Sequence, residues 1–144
     1  MLSGREVVWN NADLKCAIPA SLHNRLHLLG ERRDVADLMS AMDVLCSSSW
    51  GEAFPNVLGE AMAAGLPCVA TDVGDSAYII GDCGVAVQPK DKAALVSGIE
   101  SLLVMPSIER RALGLQARRR IKDKFALDAI VEKYTQLYKT LILE

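Results

Sequence analysis

Short apolar runs alternate with amphipathic helical stretches along most of this chain, and the alternation limits the folds open to it. Four runs have the length of a strand, namely LHLLG (26–30), DVLCSSS (43–49), PCVAT (67–71) and GVAVQP (84–89). The first two show almost no polar alternation, which is typical of strands covered on both faces. Strands and helices that alternate at this spacing indicate parallel βαβ units. We therefore predict an α/β fold with a doubly wound, Rossmann-like parallel sheet.

The helical stretches between these runs carry start and stop signals. Pro55 suits the first position of a helix, and Gly65 followed by Pro67 suits its end. Asp91 suits the position just before a further helix. A long amphipathic helix is predicted at 126–143, where apolar residues recur at three- and four-residue steps. The apolar stripe of that helix requires a surface to cover.

Chain length and strand number bear on the domain organisation. A chain of 144 residues has the size of one domain. Four or five short strands are few for a doubly wound sheet, which commonly has about six. We expect residues 1–125 to form the sheet domain, incomplete at its N-terminus. We expect residues 126–144 to form a helix that packs on a missing N-terminal domain, on a partner chain or on a second copy.

Charge and hydropathy exclude several classes of partner. The net charge of -2 does not indicate nucleic acid binding. No apolar run approaches the roughly 20 residues of a transmembrane helix, and no signal-peptide pattern is present, so we predict a cytoplasmic protein. The stretch 109–124 holds seven basic and two acidic residues. It is either a patch for anionic lipids, which would add attachment to the inner face of the membrane, or a solvated helix face. We favour the solvated face, whose other side packs inward through Leu113, Ala117, Ile121 and Phe125.

The cysteines and histidines do not predict a metal site or a disulfide framework. The four cysteines, at positions 16, 46, 68 and 83, form no C-x-x-C pair. His23 and His27 have no neighbouring cysteine or acidic cluster that would complete a ligand set. We expect core and surface residues in a reducing compartment.

Two glutamates flank the start of the helix predicted at Pro55. They lie in SSSWGEAFPNVLGEAMAAGLP (47–67), which follows the polar, carboxyl end of a strand, where open α/β sheets bind ligands. A helix start leaves unpaired N–H groups and a partial positive charge, so it attracts a phosphate. The available donors are the amides of Asn56 and Val57, since Pro55 has none.

The placing of these glutamates fits a nucleotide sugar. The Glu60 side chain tilts back towards the helix start, where its carboxylate could accept hydrogen bonds from the two hydroxyls of a ribose. Glu52, in the loop, would then hold hydroxyls of a second sugar at the other end of a diphosphate. Spacing alone favours two exposed glutamates that bind nothing, because two glutamates at this separation are commonplace.

The segment EAFPNVLGEAMAAGLPCVATDVGD resembles the donor-binding motif of a large enzyme family. The family is that of the retaining nucleotide-sugar glycosyltransferases of the GT-B fold (glycosyl transferases group 1). The likeness extends to HLLGERRDVADLMSAMDVLCSSS and GVAVQPKDKAALVSGIESLL. It implies the C-terminal, donor-binding part of a hexosyltransferase in glycan biosynthesis. That enzyme moves a hexose, with retained configuration, from a nucleotide diphosphate sugar to a glycan or lipid-linked acceptor. The isolated chain is then expected to be inactive or weak.

The resemblance also implies roles for individual residues. Glu52 contacts the transferred sugar and is the predicted catalytic-site residue, and Glu60 binds the nucleotide ribose. The rest of the predicted substrate-binding segment comprises Ala53, Phe54, Pro55, Asn56 and Val57, of which the last two offer amides to the phosphates. The backbone around Gly30 and Glu31 holds the base. No metal and no other cofactor is expected.

Departures from the family pattern leave other interpretations open. Asp75 and Tyr78 stand where the family usually has a glycine and a glutamate, and Arg5 is not assigned to the basic pair that neutralises the diphosphate. A second hypothesis is a non-catalytic nucleotide-binding or assembly module that docks through its C-terminal helix. A third, a two-component receiver domain, requires paired acidic residues after the first strand, where only Glu6 is present, and poorly placed.

Overall fold

The computed structural model describes residues 1–2 and 6–142 and divides into two compact units, Met1–Val35 and Ala36–Glu144. Arg5 lies outside the described residues, as do positions 143 and 144 at the end of the predicted terminal helix. The predicted division at residue 125, which concerned the packing of a longer protein, stays a prediction.

The first unit contains two short helices and one isolated bridge. Helix α1 spans Ala12–Ala17, and a 3-10 helix spans Ala20–Leu22. The predicted strand at 26–30 is wrong: among the described residues it forms a single parallel bridge, between Leu28 and Leu2. A strand requires pairings at consecutive residues. The described residues of this unit pair at one position only.

The second unit holds the sheet and the longer helices. Its strands are β1 (Leu45–Ser47), β2 (Cys68–Thr71) and β3 (Gly84–Val87), all parallel and in the order β1-β2-β3. The helices are α2 (Val35–Ser40), α3 (Asn56–Ala63), α4 (Ser76–Ile80), α5 (Lys92–Val104), α6 (Ser107–Lys124) and α7 (Leu127–Ile142). The strands are shorter than their apolar runs because the ends of those runs leave the sheet and enter loops.

Helices cover both faces of the sheet. All four residues of β2 are buried. On one face, Gly98 of α5 approaches Val69 and Val85 so closely that an added Cβ would lie 3.0 and 3.2 Å from their methyl groups. On the other face, an added Cβ at Gly84 would lie 3.0 Å from a methyl group of Ile80 in α4. The predicted α/β fold with a parallel sheet is confirmed.

Helix α3 ends as its sequence predicts and packs on α6. Gly65 has φ +86°, and its amide and that of Leu66 donate to Met62 O and Ala61 O, each at 3.0 Å. These two hydrogen bonds form the Schellman motif, which favours glycine at the residue with positive φ. Beside it, α6 presents Gly114, where an added Cβ would lie only 1.9 Å from the Gly65 carbonyl oxygen. Two glycines therefore set the close approach of α3 and α6.

The basic helix α6 uses part of its charge internally. Arg110 donates to three backbone carbonyls between Leu102 and Met105 and pairs with Asp43 at 3.2 Å. Arg120 donates to the carbonyls of Tyr78 and Ile79. Of the four side chains predicted to pack inward, Ala117 is buried, whereas Leu113, Ile121 and Phe125 are half-buried.

Helix α7 keeps its apolar stripe exposed. None of its residues is buried. The exposed large side chains of the stripe are Leu127, Val131, Tyr134, Leu137, Tyr138, Leu141 and Ile142. The stripe predicted from the sequence is present, and its covering partner stays a prediction.

Candidate functional site

The predicted site segment connects the carboxyl end of β1 to the start of α3. The helix begins at Asn56, and Pro55 precedes it as the N-cap with φ -73° and ψ 96°. The prediction that Pro55 is the first helical residue is thus wrong by one position, because an extended ψ is incompatible with a helical residue. The Pro55 carbonyl already accepts from Leu58 N at 3.1 Å.

The first amides of α3 are open. No side chain caps this helix start. Within residues 1–2 and 6–142, neither the Asn56 amide nor the Val57 amide donates a hydrogen bond. Both residues are exposed. Such a start can accept an anion, because its N–H groups and the helix dipole both favour negative charge.

Glu52 is held by residues that the sequence analysis did not single out. Ser49 Oγ donates to Glu52 Oε1 at 2.7 Å. Thr71 Oγ1, at the end of β2, donates to the Ser49 carbonyl oxygen at 2.5 Å. The run of three serines at the end of β1 was the signal available, but which of them reaches Glu52 depends on the loop conformation.

Glu60 stands apart from the protein's own polar groups. It is exposed on α3, and no hydrogen bond or ion pair in the described part of the chain engages its carboxylate. Since helical side chains tilt towards the helix N-terminus, this position suits a group that serves a ligand near Asn56. Its predicted contact with a ribose stays a prediction.

The loop that contains Gly74 and Asp75 supports the backbone of the site segment. Asp75 N donates to Ala53 O at 3.0 Å. The neighbouring Gly74 has φ +55°, and an added Cβ would lie 2.3 Å from Glu52 O and 2.4 Å from Ala53 O. The sequence marked this loop only as a departure from the family pattern. The structure shows that it fixes the backbone of Glu52 and Ala53.

Phe54 belongs to an aromatic cluster formed with Tyr78 and Phe125. The ring centres of Phe54 and Phe125 lie 6.1 Å apart, and the Tyr78 ring meets Phe125 edge-on at 5.6 Å. The Phe54 side chain is still 45% exposed. The cluster therefore anchors the site segment to the end of α6, while the predicted substrate contact of Phe54 stays a prediction.

The residues predicted to hold the base belong to the first unit. Gly30 has φ +65° and its amide donates to Val7 O at 2.9 Å. Glu31 is exposed. Their predicted contact with a base stays a prediction.

The described residues contain no group of three His, Cys, Asp or Glu side chains that could hold a metal ion. All four cysteines are free. Burial raises the pKa of the Cys68 thiol to about 12, so this thiol stays protonated at neutral pH. In the described part of the chain, every helix is too short or too polar to span a bilayer.

Comparison with known proteins identifies relatives for most of the chain. It is 32% identical over 119 residues to N-acetyl-alpha-D-glucosaminyl L-malate synthase of Bacillus anthracis, an alignment that covers 81% of this chain and 31% of that protein. Over 120 residues it is 34% identical to the phosphatidyl-myo-inositol mannosyltransferase of Mycobacterium leprae, covering 78% and 32%. These relatives are thus a synthase and a mannosyltransferase.

Solved structures share the fold. Sucrose-phosphate synthase from Thermosynechococcus elongatus superimposes with a TM-score of 0.74 at 31% identity, covering 85% of this chain and 32% of that one. Anabaena HepE, solved in complex with UDP-glucose, superimposes with a TM-score of 0.78 at 22% identity, covering 96% and 40%. This chain thus spans about a third of the length of the curated relatives described above. Residues 3–105 match the family model "Glycosyl transferases group 1", and the chain belongs to that glycosyltransferase family.

Proposed function

We propose that this chain is the donor-binding part of a retaining glycosyltransferase, which moves a hexose from a nucleotide diphosphate sugar to an acceptor hydroxyl. The proposal rests on the start of α3, where the first two amides of the helix have no acceptor in the described residues. In the sequence, these amides lie between Glu52 and Glu60, which are both exposed. HepE, which shares the fold, was solved with UDP-glucose.

The diphosphate is proposed to bind at the Asn56 and Val57 amides. Both donors lack an acceptor in the described part of the chain. A phosphate oxygen there therefore adds hydrogen bonds without breaking a hydrogen bond within the protein. Hydrogen bonds to a charged acceptor contribute about 1.5–3 kcal/mol each. These fixed donors also favour departure of the diphosphate, because charge grows on its oxygens as the bond to the sugar breaks.

The two glutamates are proposed to bind the two sugars of the donor. Glu60 accepts from the ribose hydroxyls, since its carboxylate has no partner within the described residues. Glu52 accepts from hydroxyls of the transferred hexose and is the catalytic-site residue of the proposal. Ser49 is a positioning residue, because its hydroxyl holds Oε1 of Glu52 and leaves Oε2 for the ligand.

The remaining features of the proposal follow from the family. The backbone at Gly30 and Glu31 binds the base, the acceptor is a glycan or a lipid-linked acceptor, and the reaction proceeds without a metal. A cytoplasmic location is proposed because all four cysteines are free, as is usual in reducing compartments. Attachment to the inner face of the membrane would use the exposed basic residues of α6.

A thermal-shift screen of this chain with UDP-glucose, GDP-mannose and ADP-glucose tests the proposal. A ligand at about 100 times its dissociation constant adds roughly 2.7 kcal/mol of stability. One of the three donors should therefore raise the melting temperature clearly, whereas glucose alone should not. If none of the donors stabilises the chain at millimolar concentration, the proposed donor site is wrong.

We expect Glu60→Ala to weaken donor binding. The ribose would lose an acceptor pair, and two hydrogen bonds to a charged acceptor, at about 1.5 kcal/mol each, correspond to roughly a 150-fold loss of affinity. Calorimetry with the donor found in the screen measures the change. Glu100→Ala is the matched control. Glu100 is also an exposed helical glutamate, and its side chain forms no hydrogen bond or ion pair within the described residues. Equal affinities of the Glu60 and Glu100 variants would contradict the ribose role.

We expect Ser49→Ala to act on the sugar and not on the nucleotide. Without the bond from Ser49 Oγ, the Glu52 carboxylate is free to rotate away from the hexose. If the Glu52 carboxylate then loses one hydrogen bond to the hexose, the affinity for the nucleotide sugar falls about tenfold. The affinity for the free nucleoside diphosphate should stay unchanged, and Ser49→Thr should restore binding. A parallel loss for both ligands would show that Ser49 does not act through the sugar.

The second candidate function is an assembly module that binds nucleotides without catalysis. The exposed apolar stripe of α7 favours it, because an uncovered stripe of this kind commonly packs on another chain or on a second copy. Sedimentation of the chain at increasing concentration distinguishes a self-associating module from a monomer.

A further inference from the structure

An exposed tryptophan borders a cleft at the carboxyl ends of the three strands. The Trp50 side chain is 78% exposed. The cleft has a volume of about 260 Å³ and receives residues from all three strand ends: Ser48 and Trp50 after β1, Thr71 from β2 and Lys90 after β3. A concave surface lined by an aromatic side chain and a few polar groups is the usual form of a small-ligand site.

Two lysines and one aspartate line this cleft, which leaves it with a net positive charge. Lys90 Nζ lies 5.6 Å from the centre of the Trp50 ring. Lys92 lines the same cleft as the first residue of α5. Among the residues that the structure describes, neither lysine forms an ion pair. The neighbouring Asp91 uses its carboxylate to accept from Ala94 N at 2.9 Å, as the cap of α5.

An apolar platform flanked by cations and hydroxyls has the chemistry of a sugar site. The C–H face of a pyranose can pack on the indole ring, while Ser48 Oγ, which has no hydrogen bond in the described residues, can bond a ring hydroxyl. A phosphate or carboxylate on the sugar can form charge-assisted bonds with the lysines. We propose that this cleft binds a sugar ring that carries a negatively charged substituent.

The size of the cleft distinguishes it from a site for a whole nucleotide sugar. Sites for drug-sized ligands occupy about 300–1,000 Å³, and this cleft, at about 260 Å³, suits a single sugar ring. Thr71, which lines the cleft, donates to the carbonyl of Ser49, and Ser49 in turn holds Glu52. The cleft is therefore connected to Glu52 through Ser49. Binding of the ring does not depend on the proposed function.

Tryptophan fluorescence can test this binding directly. The chain has two tryptophans, so Trp9→Phe leaves Trp50 as the sole reporter. Four probes are titrated: glucose 6-phosphate, glucuronate, glucose and inorganic phosphate. We expect the first two to change the Trp50 emission at concentrations at least tenfold below those needed for glucose or phosphate. The stronger of the two identifies the charged group. Calorimetry on the unaltered chain checks that Trp9→Phe has no effect of its own.

Lysine variants show whether the charge of the cleft is responsible. Lys90→Asn and Lys92→Gln should each weaken glucose 6-phosphate binding about fivefold or more, and Lys122→Gln, on the exposed face of α6, should not. Asparagine is chosen because Lys90 has φ +65°, a conformation that asparagine tolerates. Equal binding of glucose and glucose 6-phosphate, binding of phosphate alone, or no response at all would each overturn the proposal.

The same probes keep this inference distinct from the donor site. Glu60→Ala should leave glucose 6-phosphate binding unchanged, and Lys90→Asn should leave stabilisation by the nucleotide sugar unchanged. Binding of the sugar phosphate without any donor binding would confirm the cleft and reject the proposed function.

Discussion

Replacing Gly114 with alanine should destabilise the second unit strongly. The new Cβ would lie 1.9 Å from the carbonyl oxygen of Gly65. Side-chain rotation cannot relieve this clash, because the Cβ is fixed to one backbone and the oxygen belongs to the other. Helices α3 and α6 would have to separate. Overpacking of this kind costs about 1–3 kcal/mol and occasionally more, while alanine regains up to about 1 kcal/mol of helix propensity. We expect a net loss of roughly 2 kcal/mol, or about 8 °C in melting temperature, measured by circular dichroism.

The matched control for this change is Gly59→Ala. Gly59 is also an interior helix glycine, but an added Cβ meets nothing within 4 Å. Alanine there should stabilise the protein by about 0.5–1 kcal/mol. A Gly114 variant as stable as the Gly59 variant would show that the contact between Gly114 and Gly65 does not limit the packing.

Replacing Gly74 with alanine should disturb the site segment itself. An alanine at φ +55° is strained by about 1 kcal/mol or more. Its Cβ would also meet the carbonyl oxygens of Glu52 and Ala53 at 2.3 and 2.4 Å. The loop that carries Glu52 would have to move. We expect a stability loss of roughly 3 kcal/mol and a more than tenfold weaker affinity for the nucleotide sugar, measured by chemical unfolding and calorimetry.

Gly65→Ala distinguishes the effect of backbone strain from the effect of a steric clash. Gly65 also has positive φ, +86°, but an added Cβ would lie 3.9 Å from its nearest neighbour, Gly114 O, which is ordinary contact. This variant should lose stability through strain alone, about 1 kcal/mol, and should keep donor affinity. If the Gly65 and Gly74 variants lost affinity equally, the support of Glu52 by the 74–75 loop would be refuted.

The parts of the fold that were predicted correctly depend on local patterns. The buried strand β2 is a short apolar run, the end of α3 has a glycine that its C-terminal motif requires, and Asp91 caps α5 as an aspartate at that position should. The segment LHLLG has the same apolar pattern and is not a strand. Its composition permits a strand, but pairing depends on a neighbouring segment that its own sequence cannot specify.

The candidate site divides in the same way. The carboxylates and the open amides could be located from the motif, because chemistry and chain order define them. The supports of Glu52 could not, because Ser49, Thr71 and Gly74 meet only after the strands have paired and the 74–75 loop has folded back. Pro55 was misplaced by one position, since proline fixes φ but not ψ.

Arg120 connects the end of α6 to the region behind the site. Its guanidinium donates to two carbonyls at the end of α4 and lies 6.0 Å from the Phe125 ring, on which Phe54 packs. A lysine cannot reproduce these contacts, because one ammonium lacks the planar, forked donors. Searches for variants with altered donor preference should therefore randomise position 120 as well as the residues that contact ligand. We expect amino acid exchanges at this position to shift the loop that carries Phe54 while every residue of the proposed donor site keeps its identity.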